Sequence, residues 1–158
     1  MPKSQNDHWD IDSDIYTPFN NRIIMNLELE FVVRLIMGFI LSGLVGLERE
    51  VSLKPAGLRT HILVGLGSTL LTVLSLNAFA GSDSARVAAS IIIGIGFLGA
   101  GTIIKTNEKV IGLTTAATLW IVASIGVAIG AGFYILAIVA TILTFLVLRL
   151  AIFEKTLP

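Results

Sequence analysis

Gly46-Leu47-Glu48-Arg49-Glu50-Val51-Ser52-Leu53-Lys54-Pro55-Ala56-Gly57-Leu58-Arg59-Thr60-His61 is the stretch on which the fold turns. It crowds Glu48, Arg49, Glu50, Lys54, Arg59 and His61 between two strongly apolar runs, 27–47 and 61–80. Charge at the edge of a hydrocarbon layer costs free energy unless it is paired or hydrated. The stretch therefore reads as a charged turn between two membrane helices, and as the place where the sequence concentrates its polar chemistry.

Three more apolar runs lie beyond it at 86–104, 111–130 and 132–152, each near the roughly 20 residues that a helix needs to cross a bilayer. The sequence predicts an all-α integral membrane protein, a bundle of five transmembrane helices over 27–152. A polar, acidic lead (1–26) precedes it and a short tail (153–158) ends it. Composition agrees, with 54% hydrophobic and 14% charged residues and a mean hydropathy of +0.88, where soluble domains carry about 25% charged residues. The first run is too long for a signal-peptide core and lacks a small-residue cleavage site, so it reads as a retained span. Arg49, Lys54, Arg59, Lys105, Lys109, Arg149 and Lys155 fall on one side of the bundle, and only Lys3, Arg22 and Arg86 on the other. The positive-inside bias then puts the N-terminus outside and the C-terminus in the cytoplasm.

Several function classes are disfavoured at once. There are no cysteines, hence no disulfide and no thiolate chemistry. The net charge is zero without a basic cluster, which argues against nucleic acid as a partner. No phosphate-binding glycine loop or nucleophile elbow is present, and His8 and His61 have no second catalytic group nearby in sequence. The expectation is a non-enzymatic protein without a cofactor. His61 reads as an interfacial polar anchor, with pH sensing left open because imidazole titrates near neutrality. Asp10-Ile11-Asp12-Ser13-Asp14 has the opening spacing of a calcium loop, but Ile15 stands where glycine is needed and Asn21 where glutamate is needed, so no metal site is predicted. Nor does any carboxylate fall near the middle of a span.

At about 100° per residue, Arg34, Gly38, Ser42, Val45 and Arg49 share one stripe of the first span. Arg86, Ser90, Gly94, Phe97 and Gly101 share one of the third, with Gly96 and Gly99 nearer its back. Small residues at four-residue spacing let helices approach closely in lipid. Gly38, Ser42, Ser90, Gly94, Gly96, Gly99 and Gly101 are therefore predicted packing positions, with the third span central. A partly unwound segment over 94–101 lining a cavity is the alternative. The candidate functional residues are Glu48, Arg49, Glu50, Arg59, Arg86, Lys105, Arg34 and Asn77. Glu48 and Glu50 point about 200° apart on a helix, so they are expected to serve separate partners, cationic side chains or backbone donors. Arg34 has Glu30 one turn earlier as a local partner, and Arg86 has Asp83 and Asn77 near it in sequence. Gly57-Leu58-Arg59-Thr60 and Gly112-Leu113-Thr114-Thr115 also hint at an internal repeat of two helices each.

The charged stretch, with Ala85-Arg86-Val87-Ala88-Ala89, Gly94-Ile95-Gly96-Phe97-Leu98-Gly99-Ala100-Gly101-Thr102-Ile103-Ile104, Gly112-Leu113-Thr114-Thr115-Ala116-Ala117 and Leu119-Trp120, resembles the signature of the MgtC/SapB family of bacterial membrane proteins. The resemblance implies an inner-membrane bundle with its N-terminus outside, linked to growth in low magnesium and, in pathogens, to survival in phagocytes. It also implies a candidate partner in the membrane part of the F-type ATP synthase. Some members carry a cytoplasmic ACT-like C-terminal domain; the sequence stops at Pro158, so the transmembrane domain alone is expected. The functional expectation is a regulator or accessory factor that touches another membrane complex, or a second copy, through helix faces under magnesium limitation or acid stress. The alternative is a small homodimeric transporter or channel for Mg²⁺, protons or a small anion.

Overall fold

The computed structural model describes residues 18–78, 83–107 and 109–154. Among them the chain forms five helices: α1 (Pro18–Val51), α2 (Leu58–Asn77), α3 (Ser84–Gly101), α4 (Leu113–Gly130) and α5 (Tyr134–Glu154). A two-stranded antiparallel hairpin, β1 (Ile104–Lys105) and β2 (Val110–Ile111), joins α3 to α4. The chain divides into two units, 1–30 and 31–158. Described residues of the first form the opening turns of α1; the second holds the rest of α1 and every other element. Among the described residues, three helical stretches are long and apolar enough to cross a bilayer: Asn26–Val51, Leu58–Asn77 and Leu113–Gly130. Ala85–Gly101 and Tyr134–Leu150 are apolar but shorter.

Two boundaries differ from the hydropathy reading. Helix α1 opens at Pro18, inside the predicted polar lead, where proline suits a first helical turn because its missing N–H would have no partner there. The acidic cluster Asp7, Asp10, Asp12 and Asp14 lies outside the described residues. The second difference is the hairpin. Ile104 pairs with Ile111 and Lys105 with Val110, in stretches that apolarity alone merges into helices. β-branched residues favour extended backbone, and Thr106 closes the turn by accepting from Lys109 N and donating to Lys109 O. Gly112 then starts α4 at φ +95°, where a Cβ would overlap the carbonyl oxygen of Thr102.

Packing centres on α2 and α4. Helix α4 lies against α2, α3 and α5, and its buried residues include Leu119, Val122, Ala123, Ile125 and Ile129. On the face that meets α2, Gly126 and Gly130 stand one turn apart. A Cβ on Gly126 would come within 2.6 Å of Gly65 O, and one on Gly130 within 2.8 Å of Thr69 O. Helix α1 closes on the same part of α2: Gly38 faces Thr69, Ser42 presses on Gly65, and Gly46 sits over Leu58 and His61. The result is a seam of three backbones in near contact, the arrangement that dispersion favours where apolar burial against lipid offers no driving force.

The expectation that the third span is central is corrected. Among the described residues, no neighbouring element comes within 4 Å of the Cβ position of Gly94, Gly96 or Gly101; Gly99 is in packing contact, with Ala116. Helix α3 remains helical throughout Ser84–Gly101, which also sets aside the unwound alternative. The glycines that do meet a neighbouring backbone closely are those of α4, Gly126 and Gly130, against α2.

Candidate functional site

The charged stretch folds into a compact elbow between α1 and α2. Glu48 accepts from Arg49 Nε and pairs with its guanidinium, and accepts from Ser52 Oγ at 2.8 Å. Arg49 is 3% exposed, so this pair neutralises a cation that burial would otherwise make costly. Glu50 turns away and accepts from Leu58 N at 3.0 Å. Helix α2 has no side-chain cap of its own, its N-cap being Gly57. The preceding helix supplies the missing acceptor, and a carboxylate at a helix N-terminus also meets the favourable end of the macrodipole. A Cβ on Gly57 would overlap the Glu50 carboxylate, so a larger residue there would push the carboxylate from its place at Leu58 N. The turn is tied by Ser52 N to Glu48 O, Leu53 N to Glu50 O and Lys54 N to Arg49 O, each 3.0 Å. The two glutamates thus take separate partners, one a cation and one a backbone donor.

One turn into α2, His61 is fully buried. Its Nδ1 lies 2.8 Å from Gly57 O and its Nε2 3.1 Å from Thr118 Oγ1. A carbonyl only accepts, so Nδ1 carries a proton. The Thr118 hydroxyl also sits 2.8 Å from Thr115 O and has a single hydrogen to give. With a neutral imidazole that hydrogen is shared between Nε2 and Thr115 O, so Thr118 ties the ring to α4. His61 therefore links the elbow to α4 and is more than an interfacial anchor. Farther along α2, the Thr69 and Thr72 hydroxyls return to Gly65 O and Ser68 O.

Arg34 joins the far end of α4. Its Nη1 donates to Gly130 O at 2.5 Å and its Nε to Tyr134 Oη at 3.1 Å, with the guanidinium over the Phe31 and Tyr134 rings. Beyond Gly130 the chain makes a Schellman turn: Phe133 N donates to Ala128 O and Gly132 N to Ile129 O, with Gly132 at φ +86°. Arg34 serves the carbonyl that this turn leaves over, and a cation suits a helix C-terminus.

The remaining candidates stand apart from this interior. Arg59, Arg86 and Lys105 are exposed. Asp83 caps α3 by accepting from Ala85 N at 3.0 Å, and the Asn77 amide donates to Val73 O. Ser90 is exposed and its hydroxyl returns to Arg86 O. The structure thus gathers Glu48, Arg49 and Glu50 in one elbow and puts Arg34 at a separate helix end. Sequence reasoning misses the partners of His61, Thr115 and Thr118, and passes over Gly65, Gly126 and Gly130. The four-residue spacing of Gly126 and Gly130 is the signal that could have found the last two.

These features define a class: a helical membrane protein whose buried polar residues bind its own helix ends together. Residues 35–155 match the MgtC family model, and the chain belongs to that family. It is 45% identical over 128 residues to "Putative magnesium transporter YhiD" of Escherichia coli (strain K12), covering 76% of this chain and 60% of that protein. It is 50% identical over 104 residues to "Protein MgtC" of Brucella abortus (strain 2308), covering 66% and 44%. With "Protein SapB" of Bacillus subtilis (strain 168) the identity is 39% over 117 residues, covering 68% and 50%. The chain thus spans about half the length of the curated relatives it matches. No solved structure matches it.

Proposed function

We propose that this chain is a five-span protein of the bacterial inner membrane, and a non-catalytic accessory or regulatory factor in magnesium limitation. It acts through its lateral helix faces, not through a central path. The observation that carries this reading is the α1–α2–α4 seam, where Gly38, Gly65, Gly126 and Gly130 bring backbones into near contact. The Thr69 and Thr72 hydroxyls donate to carbonyls of their own helix, an arrangement that fills the middle of the bundle and leaves its periphery for recognition. The outward face of α3, with Ile93 75% and Phe97 83% exposed beside Gly96, is the face offered to another membrane complex or a second copy. The membrane sector of an F-type ATP synthase is a candidate partner on the family resemblance. The link to magnesium rests on the family and on the name of the Escherichia coli relative.

That same name favours a second reading, a transporter. Proteoliposomes containing only this protein discriminate the two, with Mg²⁺, protons and a small anion followed in parallel. The accessory reading expects no flux above protein-free vesicles from folded, inserted protein. Protein-dependent flux of any of the three would replace it with the transporter reading.

A further inference from the structure

Two adjoining cavities open on the flank of the bundle. The larger, about 710 Å³, lies between α2 and α3, with Leu63, Leu71, Val87, Ile91 and Ile95 among its walls. Gly67 and Gly94 widen it, since no neighbouring element among the described residues comes within 4 Å of either Cβ position. The smaller, about 460 Å³, lies by the elbow and includes Pro55, Ala56 and Thr102. Thr60 and Leu98 line both, so the two form one groove running from the elbow along the helices. From Thr60 to Leu71 on α2, and from Val87 to Leu98 on α3, it extends roughly 16 Å at 1.5 Å per residue. That is about half of a hydrocarbon core of roughly 30 Å, the depth of one leaflet.

Cationic residues flank the elbow end of the groove in sequence, though none of them lines either cavity. Among the described residues no acidic side chain lines either cavity, and the nearest glutamates are engaged: Glu48 by Arg49 and Ser52, Glu50 by Leu58 N. Lys54 and Arg59 are exposed and precede the lining residues Pro55 and Thr60 in sequence; Lys105, also exposed, lies three positions after Thr102. We infer that this groove binds an anionic phospholipid, one acyl chain lying between α2 and α3 and the phosphate held at the elbow by Arg59 and Thr60. Basic sites between membrane helices at the headgroup level recognise such lipids. The length selects the occupant: a groove that ends at Leu71 and Val87 fits one leaflet's acyl chain, whereas a partner helix lying alongside would use the whole bilayer depth. The inference is independent of the accessory reading, because a lipid here fits either function.

Native mass spectrometry of the purified chain tests it, with phosphatidylglycerol and phosphatidylcholine of identical acyl chains offered in equal amounts. Phosphatidylglycerol should be retained in preference by roughly fivefold, the weight of one basic residue at a lipid surface. Arg59→Gln should remove that preference, and Gly94→Leu, which fills the groove, should abolish retention of both lipids. Should Gly94→Leu fail to fold, Gly67→Leu fills the same groove from α2. Glycerol phosphate, a headgroup without chains, should not compete. Equal retention of the two lipids, or retention that survives a folded groove-filling variant, overturns the inference. Displacement by glycerol phosphate would overturn it in favour of a free phosphate, and a dimer dispersed by Gly94→Leu in favour of a second copy.

Discussion

Glu50 shows how a residue in this chain can be read correctly and still not understood. Helical geometry separates it from Glu48 and allows a backbone donor as its partner, and Leu58 N is that donor at 3.0 Å. Which donor it would be is not legible in the sequence, because that depends on the turn between Ser52 and Gly57, including Leu53 at φ +53°. Arg34 is similar: its depth in an apolar run marks it as needing a partner, but the Gly130 carbonyl lies far away in sequence. His61 looks less important than it is because its partner Thr118 is 57 residues away. For Glu50 itself, Glu50→Ala is expected to lower stability by about 1 kcal/mol, the usual cost of removing an N-terminal cap. Glu50→Gln keeps an acceptor oxygen at the same reach and should recover most of the loss. Thermal unfolding in detergent measures both. An Ala variant as stable as the parent would mean that solvent replaces the carboxylate at Leu58 N.

Among the elements, each of the five described helices overlaps an apolar run of the sequence, and a helix is the form in which a membrane segment satisfies its backbone internally. The hairpin between α3 and α4 is hidden in the sequence since Ile104, Val110 and Ile111 are as apolar as the helices they separate. The similarity of Gly57-Leu58 to Gly112-Leu113 marks real positions: each glycine is an N-cap and each leucine a first helical residue. Their backbones differ, however, at φ −102° and +95°, so the same residues start two helices in different ways. Small-residue spacing likewise says where helices could approach closely, not which stripe finds a neighbour. That ambiguity gives a paired prediction. Gly126→Ala puts a methyl group 2.6 Å from the Gly65 carbonyl oxygen and 2.8 Å from Ser68 Cβ, which should force α2 and α4 apart and cost about 1–3 kcal/mol. Gly96→Ala meets open space and should be neutral or slightly stabilising through helix propensity. Melting temperatures of the two variants, compared with the parent, check it; equal losses would contradict the packing described for α4.

For the whole molecule, the Lys/Arg distribution argues for an orientation that helix packing does not encode. On the proposed five-span topology the positive-inside bias would put Arg59 and Lys105 in the cytoplasm and Arg86 outside, with the two ends on opposite sides. The absence of cysteine makes this directly testable, because a single introduced thiol is the only one a maleimide can find. Arg59, Arg86 and Lys105 are all exposed and none contributes a side chain to the elbow's hydrogen bonds, so Arg59→Cys, Arg86→Cys and Lys105→Cys should insert normally. In spheroplasts a membrane-impermeant maleimide should label Arg86→Cys and spare the other two; inverted vesicles should reverse the pattern. Labelling of Arg86→Cys and Lys105→Cys from the same side, with Arg59→Cys on the other, would mean that α3 does not cross, leaving fewer than five spans. A wholly inverted pattern would place the elbow outside the cell, and with it the adjoining end of the α2–α3 groove in the outer leaflet.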